Sequence, residues 1–281
     1  MPADIKPLFR PEAVRPKVKA FTLPKAAEDG RARIIEWAKK LDPKTKLKEK
    51  ETELLPNFLS DVFESVLGYV GPPATATSIR REALVQVDGK RADAGFGRFG
   101  GGVAEFVAVL EGKGPNDPLV TPFAGRKRSA VEQALLYALN LRIDWYLVTN
   151  LREIRLYSKQ ENQFTYERFD LQKLAADPTE YARFVFLLGA ERVVPATGAN
   201  HLHTLLTESR VIGREVTAEF YDEYHALRGT TFKALCQSNP GRDPAEIFET
   251  GTPWDETLLH PRQTSSRGVS FHAQESCAPC I

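Results

Sequence analysis

In Val107-Ala108-Val109-Leu110-Glu111-Gly112-Lys113 an apolar run ends in a carboxylate and an amine two residues apart. Alternate residues of a strand share a face, so Glu111 and Lys113 project together. Asp93 stands on the preceding stretch. If the two stretches pair as antiparallel neighbours, Asp93 approaches Glu111 across the pair. Two carboxylates and a lysine meeting at one sheet edge suit phosphodiester hydrolysis. Asp93 and Glu111 are hard oxygen ligands for Mg2+, an ion that keeps waters and binds phosphate oxygens, and the Gly112 carbonyl offers a further ligand. The metal neutralises the phosphate and lowers the pKa of a bound water. Lys113 faces the attacking water or the charge that builds around phosphorus. Taken alone, the tripeptide reads equally as a strand-end ion pair worth little, and Asp88 rivals Asp93 for the first acid.

The next helix adds to the pattern. Ser129-Ala130-Val131-Glu132 is a capping box, S-x-x-E, and predicts a helix over about 130–141. On it Gln133 and Tyr137 are four apart and share a face; by itself Tyr137 reads as readily as half-buried core. Before it lies Arg126-Lys127-Arg128, a cluster suited to phosphate or to a solvated surface.

These residues need a scaffold. Ile34, Ile35, Ala38 and Leu41 predict an amphipathic helix over about 28–41, ended by Pro43. Leu54, Leu55, Phe58, Leu59, Val62, Phe63, Val66 and Leu67 form one broad stripe, stopped by Gly68. The period then changes to two. A strand over 84–87, a turn at Asp88-Gly89, a strand over 91–96, a glycine-rich loop over 97–102 and a third strand over 103–113 follow. Residues 144–150 and 154–158 read as two more strands, and the chain after about 179 reads as helical. The expected class is α/β, a mixed central sheet flanked by helices and followed by a helical segment.

The 281 residues are 42% hydrophobic and 27% charged, with a net charge of +1, as for a soluble globular protein. No apolar run approaches the roughly 20 residues of a membrane span and the start lacks a secretory h-region, so a cytoplasmic location with no membrane partner is expected. Residues 1–50 hold 14 Lys/Arg against 7 Asp/Glu, with Lys44, Lys46, Lys48 and Lys50 alternating. Cys277-x-x-Cys280 has only His272 nearby as a further zinc ligand, and no metal site is expected there. His201-x-His203 lacks a third ligand at metal spacing. Neither a G-x-S-x-G elbow nor a P-loop is present.

With D…ExK…QxxxY in this order, the chain resembles the PD-(D/E)xK nuclease superfamily and its RecB-like group. It is most similar to the N-terminal nuclease domain of fused type IIG restriction–modification enzymes, over about 51–250. The stretches that carry this are "ETELLPNFLSDVFESVLGY", "GKRADAGFG", "VAVLEGKGP", "SAVEQALLYAL", "DWYLVTNLREIRLY" and "EFYDEYHALRGTTFKAL". The resemblance implies a restriction-endonuclease-like core and a Mg2+-dependent attack on double-stranded DNA. Asp93 and Glu111 would hold the metal and Lys113 would be the catalytic lysine. Gln133 would serve the catalytic group, with Tyr137, Arg126, Lys127 and Arg128 supporting the site or the DNA. A further metal-binding acid comes from the first helix of such sites. Glu51 lies in line with Leu55, Phe58 and Val62; Glu53 is the alternative.

Ala92 stands where the family has proline, and the interval from Asp93 to Glu111 is long for a tight hairpin, which the 97–102 loop must absorb. No methyltransferase N-P-P-Y/F or S-adenosylmethionine-type loop follows. The expected organisation is a basic N-terminal arm over 1–27, a nuclease domain over 28–200, a partial helical connector over 201–250 and a disordered or aberrant tail over 251–281, such as truncation with a frameshift would leave. A separate methyltransferase or specificity subunit is then a possible partner. The competing expectations are a non-catalytic DNA-binding or regulatory subunit and an inactive relic.

Overall fold

The computed structural model describes residues 6–44, 50–87, 90–123 and 125–244. The chain divides into two compact units, residues 1–216 and 217–281. The first is built on a six-stranded sheet in sequential order, β1 Thr77–Val87, β2 Lys90–Gly100, β3 Val103–Gly112, β4 Trp145–Thr149, β5 Glu153–Ser158 and β6 Glu167–Asp170. Neighbouring strands are antiparallel except β3 and β4, which run parallel with Leu110 opposite Leu147 and Gly112 opposite Thr149. A parallel pair needs a crossover. It is supplied by the stretch 113–129 and helix α4, Ala130–Leu141. The α/β class and the mixed sheet agree with the sequence pattern.

The alternation of β3 decides which core each residue enters. Ala108 and Leu110 lie in a large cluster with Leu55, Phe58 and Val62, whereas Val109 lies in a smaller one with Val131, Ala134 and Tyr137 of α4. The large cluster collects α1 Pro11–Lys19, α2 Lys25–Lys40, α3 Glu51–Phe58 with its π-helical continuation Leu59–Val66, α5 Leu171–Ala176, α6 Pro178–Leu188, α7 Ala190–Val193 and the start of α8, His201–Ser238. All eight residues of the predicted stripe from Leu54 to Leu67 are buried, each worth roughly 1.5–3 kcal/mol if fully removed from water. Gly68, at φ +79°, ends the segment in the left-handed region that glycine tolerates.

Several expectations are corrected. Residues 8–19, read from the sequence as part of a loose basic arm, bury Leu8, Phe9, Ala13, Val14 and Val18. Pro11 fits the first turn of α1, and Val14 and Val18, four apart, form its inner face. Residues 97–100 are strand, not loop, and β2 turns directly into β3 through Gly101 and Gly102 at φ +55° and +83°. The Asp93–Glu111 interval is absorbed by strand length and by a bulge at Phe96/Gly97, where a Cβ would come within 2.0 Å of the Glu105 carbonyl oxygen. Strand β1 begins seven residues earlier than expected, and β6 is additional. The Asp88-Gly89 turn and the 251–281 tail lie outside the described residues, as does Cys277-x-x-Cys280. Helix α8 belongs to the first unit through Val216, with Leu202, Leu205 and Leu206 buried; from Thr217 to Ser238 it forms the described helix of the second.

Candidate active site at the end of strand β3

The hairpin register sets Ala94 opposite Leu110, and Asp93 is bonded to the next step along. Its Oδ2 accepts from the Gly112 N–H at 2.7 Å. Glu111 is 3% exposed and Lys113 6% exposed, and the Lys113 ammonium donates to Glu111 Oε1. The Lys113 N–H donates to the Thr149 carbonyl at 2.7 Å, so the parallel neighbour β4 pins the backbone just where the lysine leaves the sheet. Gly112 has its own reason: a Cβ there would come within 2.6 Å of Leu55 Cδ2. Helix α3 thus packs directly over the Glu-Gly-Lys step.

That packing places Glu51, one turn before Leu55, beside the pair. Its charge couples to Lys113 and Asp93. Glu53 instead accepts from the Lys50 N–H at 3.3 Å on the exposed start of the helix, so of the two alternatives Glu51 is the one at the site. Asp88, the rival first acid, lies outside the described residues.

One neighbour, Asp117, is not evident from the sequence, nor is the inward turn of Arg126, expected with Lys127 and Arg128 to support the site or the DNA. Arg126 folds back so that Nη1 stands 3.2 Å from Asp117 Oδ2 and Nη2 3.7 Å from Glu51 Oε2. Asp117 lies in the irregular stretch after β3, where no periodic signal exists. Lys127 and Arg128 are exposed, as a nucleic-acid contact requires, along with Lys50; Lys46 and Lys48 lie outside the described residues.

The site is crowded with negative charge. Burial, and after it the Asp93 carboxylate, push the Glu111 carboxyl up to about 7 against the opposing pull of Lys113. Burial likewise raises Asp93, opposed by the Gly112 N–H and Lys113. Burial raises Glu51, opposed by Lys113 and Arg126. Four carboxylates, Glu51, Asp93, Glu111 and Asp117, thus face two cations, Lys113 and Arg126.

On α4, the Ser129–Glu132 capping box is formed, with Ser129 Oγ accepting from the Glu132 N–H at 3.2 Å. Gln133 Nε2 donates to Tyr137 Oη at 2.7 Å, and Tyr137 Oη donates to the Arg91 carbonyl at 3.1 Å. Tyr137 is fully buried. The pair grips β2 two residues before Asp93. Gln133, expected among the catalytic groups, is bonded here to Tyr137, and through it to the β2 backbone. His201 and His203 are apart from this site. His203 Nε2 accepts from Trp145 Nε1 at 3.2 Å, and burial pushes His201 down to about 4.

Whether these residues suit a divalent cation can be asked of the donors themselves. Glu111 Oε2 is buried without a hydrogen-bond partner, an anionic acceptor lacking a positive counterpart on that side. Among the described residues no group of three or more His, Cys, Asp or Glu side chains stands ready to hold a metal. Two carboxylates with waters filling the remaining positions is the manner of Mg2+ rather than of a closed structural site, so the donor set fits that ion.

Comparison with protein-family models, with curated proteins and with solved structures finds no match. Among the described residues no helix is long and apolar enough to cross a membrane.

Proposed function

We propose that the chain is a Mg2+-dependent DNA endonuclease module of restriction–modification type, built as the PD-(D/E)xK nucleases are. The observation that carries this reading is the buried Glu111–Lys113 pair with Asp93 against the intervening Gly112 and with Glu111 Oε2 unpartnered. An unpaired buried carboxylate oxygen costs free energy, which a cation seated against it would offset.

Asp93 and Glu111 would hold the Mg2+, with Glu51 near enough in charge to contribute. When bound, the ion supplies Lewis-acid neutralisation of the phosphate and a more acidic water. Lys113, a donor with no acceptor capacity, would stabilise negative charge growing on the phosphate oxygens. The Thr149 carbonyl holds the lysine backbone through this change. Gln133 and Tyr137 keep β2, and with it Asp93, in register. Lys127, Arg128 and Lys50 offer exposed charge to a double-stranded DNA backbone. A cytoplasmic location and a separate methyltransferase or specificity subunit accord with this role.

Incubating plasmid DNA with the protein and Mg2+, beside Lys113→Ala, tests the reading. Mg2+-dependent nicking that falls at least a hundredfold in the variant is the expected result. Equal cutting by both proteins refutes the role of Lys113. A second reading, a non-catalytic DNA-binding subunit, is favoured by the lack of a three-ligand metal group among the described residues. Salt-sensitive binding that ignores Mg2+, with no cutting, distinguishes it.

A further inference from the structure

The three consecutive cations after β3 do not share one fate. Lys127 and Arg128 are exposed, while Arg126 turns inward to two acids. Its anchor is Asp117, at 3.2 Å. The loop holds the Asp117 backbone independently of Arg126. The Asp117 N–H bonds to the Gly114 carbonyl at 2.9 Å, and the Asp117 carbonyl accepts from Asn150 Nδ2 at 3.5 Å. The second contact, 3.7 Å from Nη2 to Glu51 Oε2, is an attraction longer than a hydrogen bond. One arm of the fork is therefore tethered and the other only drawn electrostatically to Glu51. A guanidinium with one free edge is matched to a phosphate, which it can meet with parallel N–H donors. The charge of Arg126 also reaches Asp93, so this free edge lies beside the proposed metal-binding acids.

Resting on the nuclease reading, we propose that Arg126 is a phosphate-binding residue of the site, positioned by Asp117, and that its charge, felt by Glu51 and Asp93, opposes the binding of a divalent cation beside them. The Nη2 edge, held to Glu51 only by a 3.7 Å attraction, would leave it for a phosphate beside the scissile bond while Asp117 keeps its hold on Nη1, and a bound cation would favour this by weakening the pull of the acids on Arg126. Cation and DNA then strengthen each other's binding, because each weakens the hold of the acids on Arg126 that opposes the other.

The test compares full-length wild type with Arg126→Gln and Arg126→Lys, first by calorimetric titration of Mg2+ alone without DNA. Arg126→Gln removes the opposing charge and is expected to bind Mg2+ severalfold more tightly, whereas Arg126→Lys keeps the charge and stays near wild type. In plasmid cutting at saturating Mg2+ the order reverses: Arg126→Gln loses tenfold or more in kcat, and Arg126→Lys, with charge but no fork, loses less. Asp117→Asn also lowers kcat, but adds little on top of Arg126→Gln, because the two residues act as one unit. Unchanged or weaker Mg2+ affinity in a folded Arg126→Gln, full cutting by that variant, or additive Asp117 and Arg126 losses would each overturn the proposal. If wild type shows no Mg2+-dependent cutting the nuclease reading itself falls, and the affinity comparison still reports whether Arg126 opposes the cation.

Discussion

Leu55 of α3 rests on Gly112 of β3, with room for no side chain between them: a Cβ at position 112 would meet Leu55 Cδ2 at 2.6 Å. The glycine between the acid and the lysine is therefore a seat for the helix that carries Glu51. Gly112→Ala forces Leu55 aside. The obstructing atoms belong to a flexible side chain, so an overpacking cost of about 1–3 kcal/mol is expected rather than unfolding. Because Glu51 sits one turn from Leu55, the variant also weakens Mg2+ binding. Denaturant melts and calorimetric titration of Mg2+ check the two effects, and a variant as stable as wild type with unchanged Mg2+ affinity contradicts this role for the glycine.

The raised carboxyl of Glu111 makes metal-free stability depend on pH with a definite sign. The folded protein holds the Glu111 proton up to about 7, whereas an unfolded chain releases it near 4.3. Between these values the native state binds more protons, so this group makes unfolding progressively easier as pH rises, by on the order of 3 kcal/mol across the window. Glu111→Gln should flatten this part of the profile and be more stable than wild type at pH 8 without metal, because the amide mimics the neutral acid. Mg2+ should restore wild type at pH 8 and leave the variant little changed. Urea denaturation at pH 5 and pH 8, with and without Mg2+, decides the matter.

What could be read from the chain was what is periodic or local. The stripe from Leu54 to Leu67 names the buried face of α3, but leaves Glu51 and Glu53 as alternatives; the Lys50 N–H bond to Glu53 and the packing of Leu55 on Gly112 separate them. The Ser129–Glu132 box sets the start of α4 to the residue. Strand β6 escaped because Glu-Arg-Phe-Asp is four residues long with no alternation beyond its single Phe169. Residues 97–100 were misread because glycine usually marks a turn, whereas Gly97 serves a bulge that admits no Cβ. Asp117 and the inward turn of Arg126 are tertiary facts. In a basic tripeptide nothing local distinguishes the residue that turns inward to Asp117 and Glu51 from its exposed neighbours.

Gln133 and Tyr137 supply a third prediction. Tyr137→Phe removes the hydroxyl that accepts from Gln133 and donates to the Arg91 carbonyl. It leaves a partly buried acceptor without this donor, at a cost of about 1 kcal/mol. Gln133→Ala breaks only the outer link and should cost less. Since the pair holds the backbone two residues before Asp93, both variants should lower kcat with little effect on DNA affinity. Measuring stability, DNA binding and cutting on the same preparations separates this from a direct DNA contact, which would appear chiefly in affinity.

Lys127 provides the opposite signature. It is exposed beside the inward Arg126, so if it meets DNA it does so as a point charge against the backbone. Each phosphate neutralised contributes about 0.9 to the slope of log affinity against log salt for duplex DNA. Lys127→Ala should therefore weaken binding equally for unrelated sequences and reduce that slope by about one unit, leaving kcat at saturating DNA unchanged. Arg126→Gln, by contrast, should cut kcat at saturating DNA. A salt titration of binding by fluorescence anisotropy, using the non-cutting Lys113→Ala protein as background, separates the two neighbours: an unaltered slope in Lys127→Ala would remove this residue from the DNA-binding face.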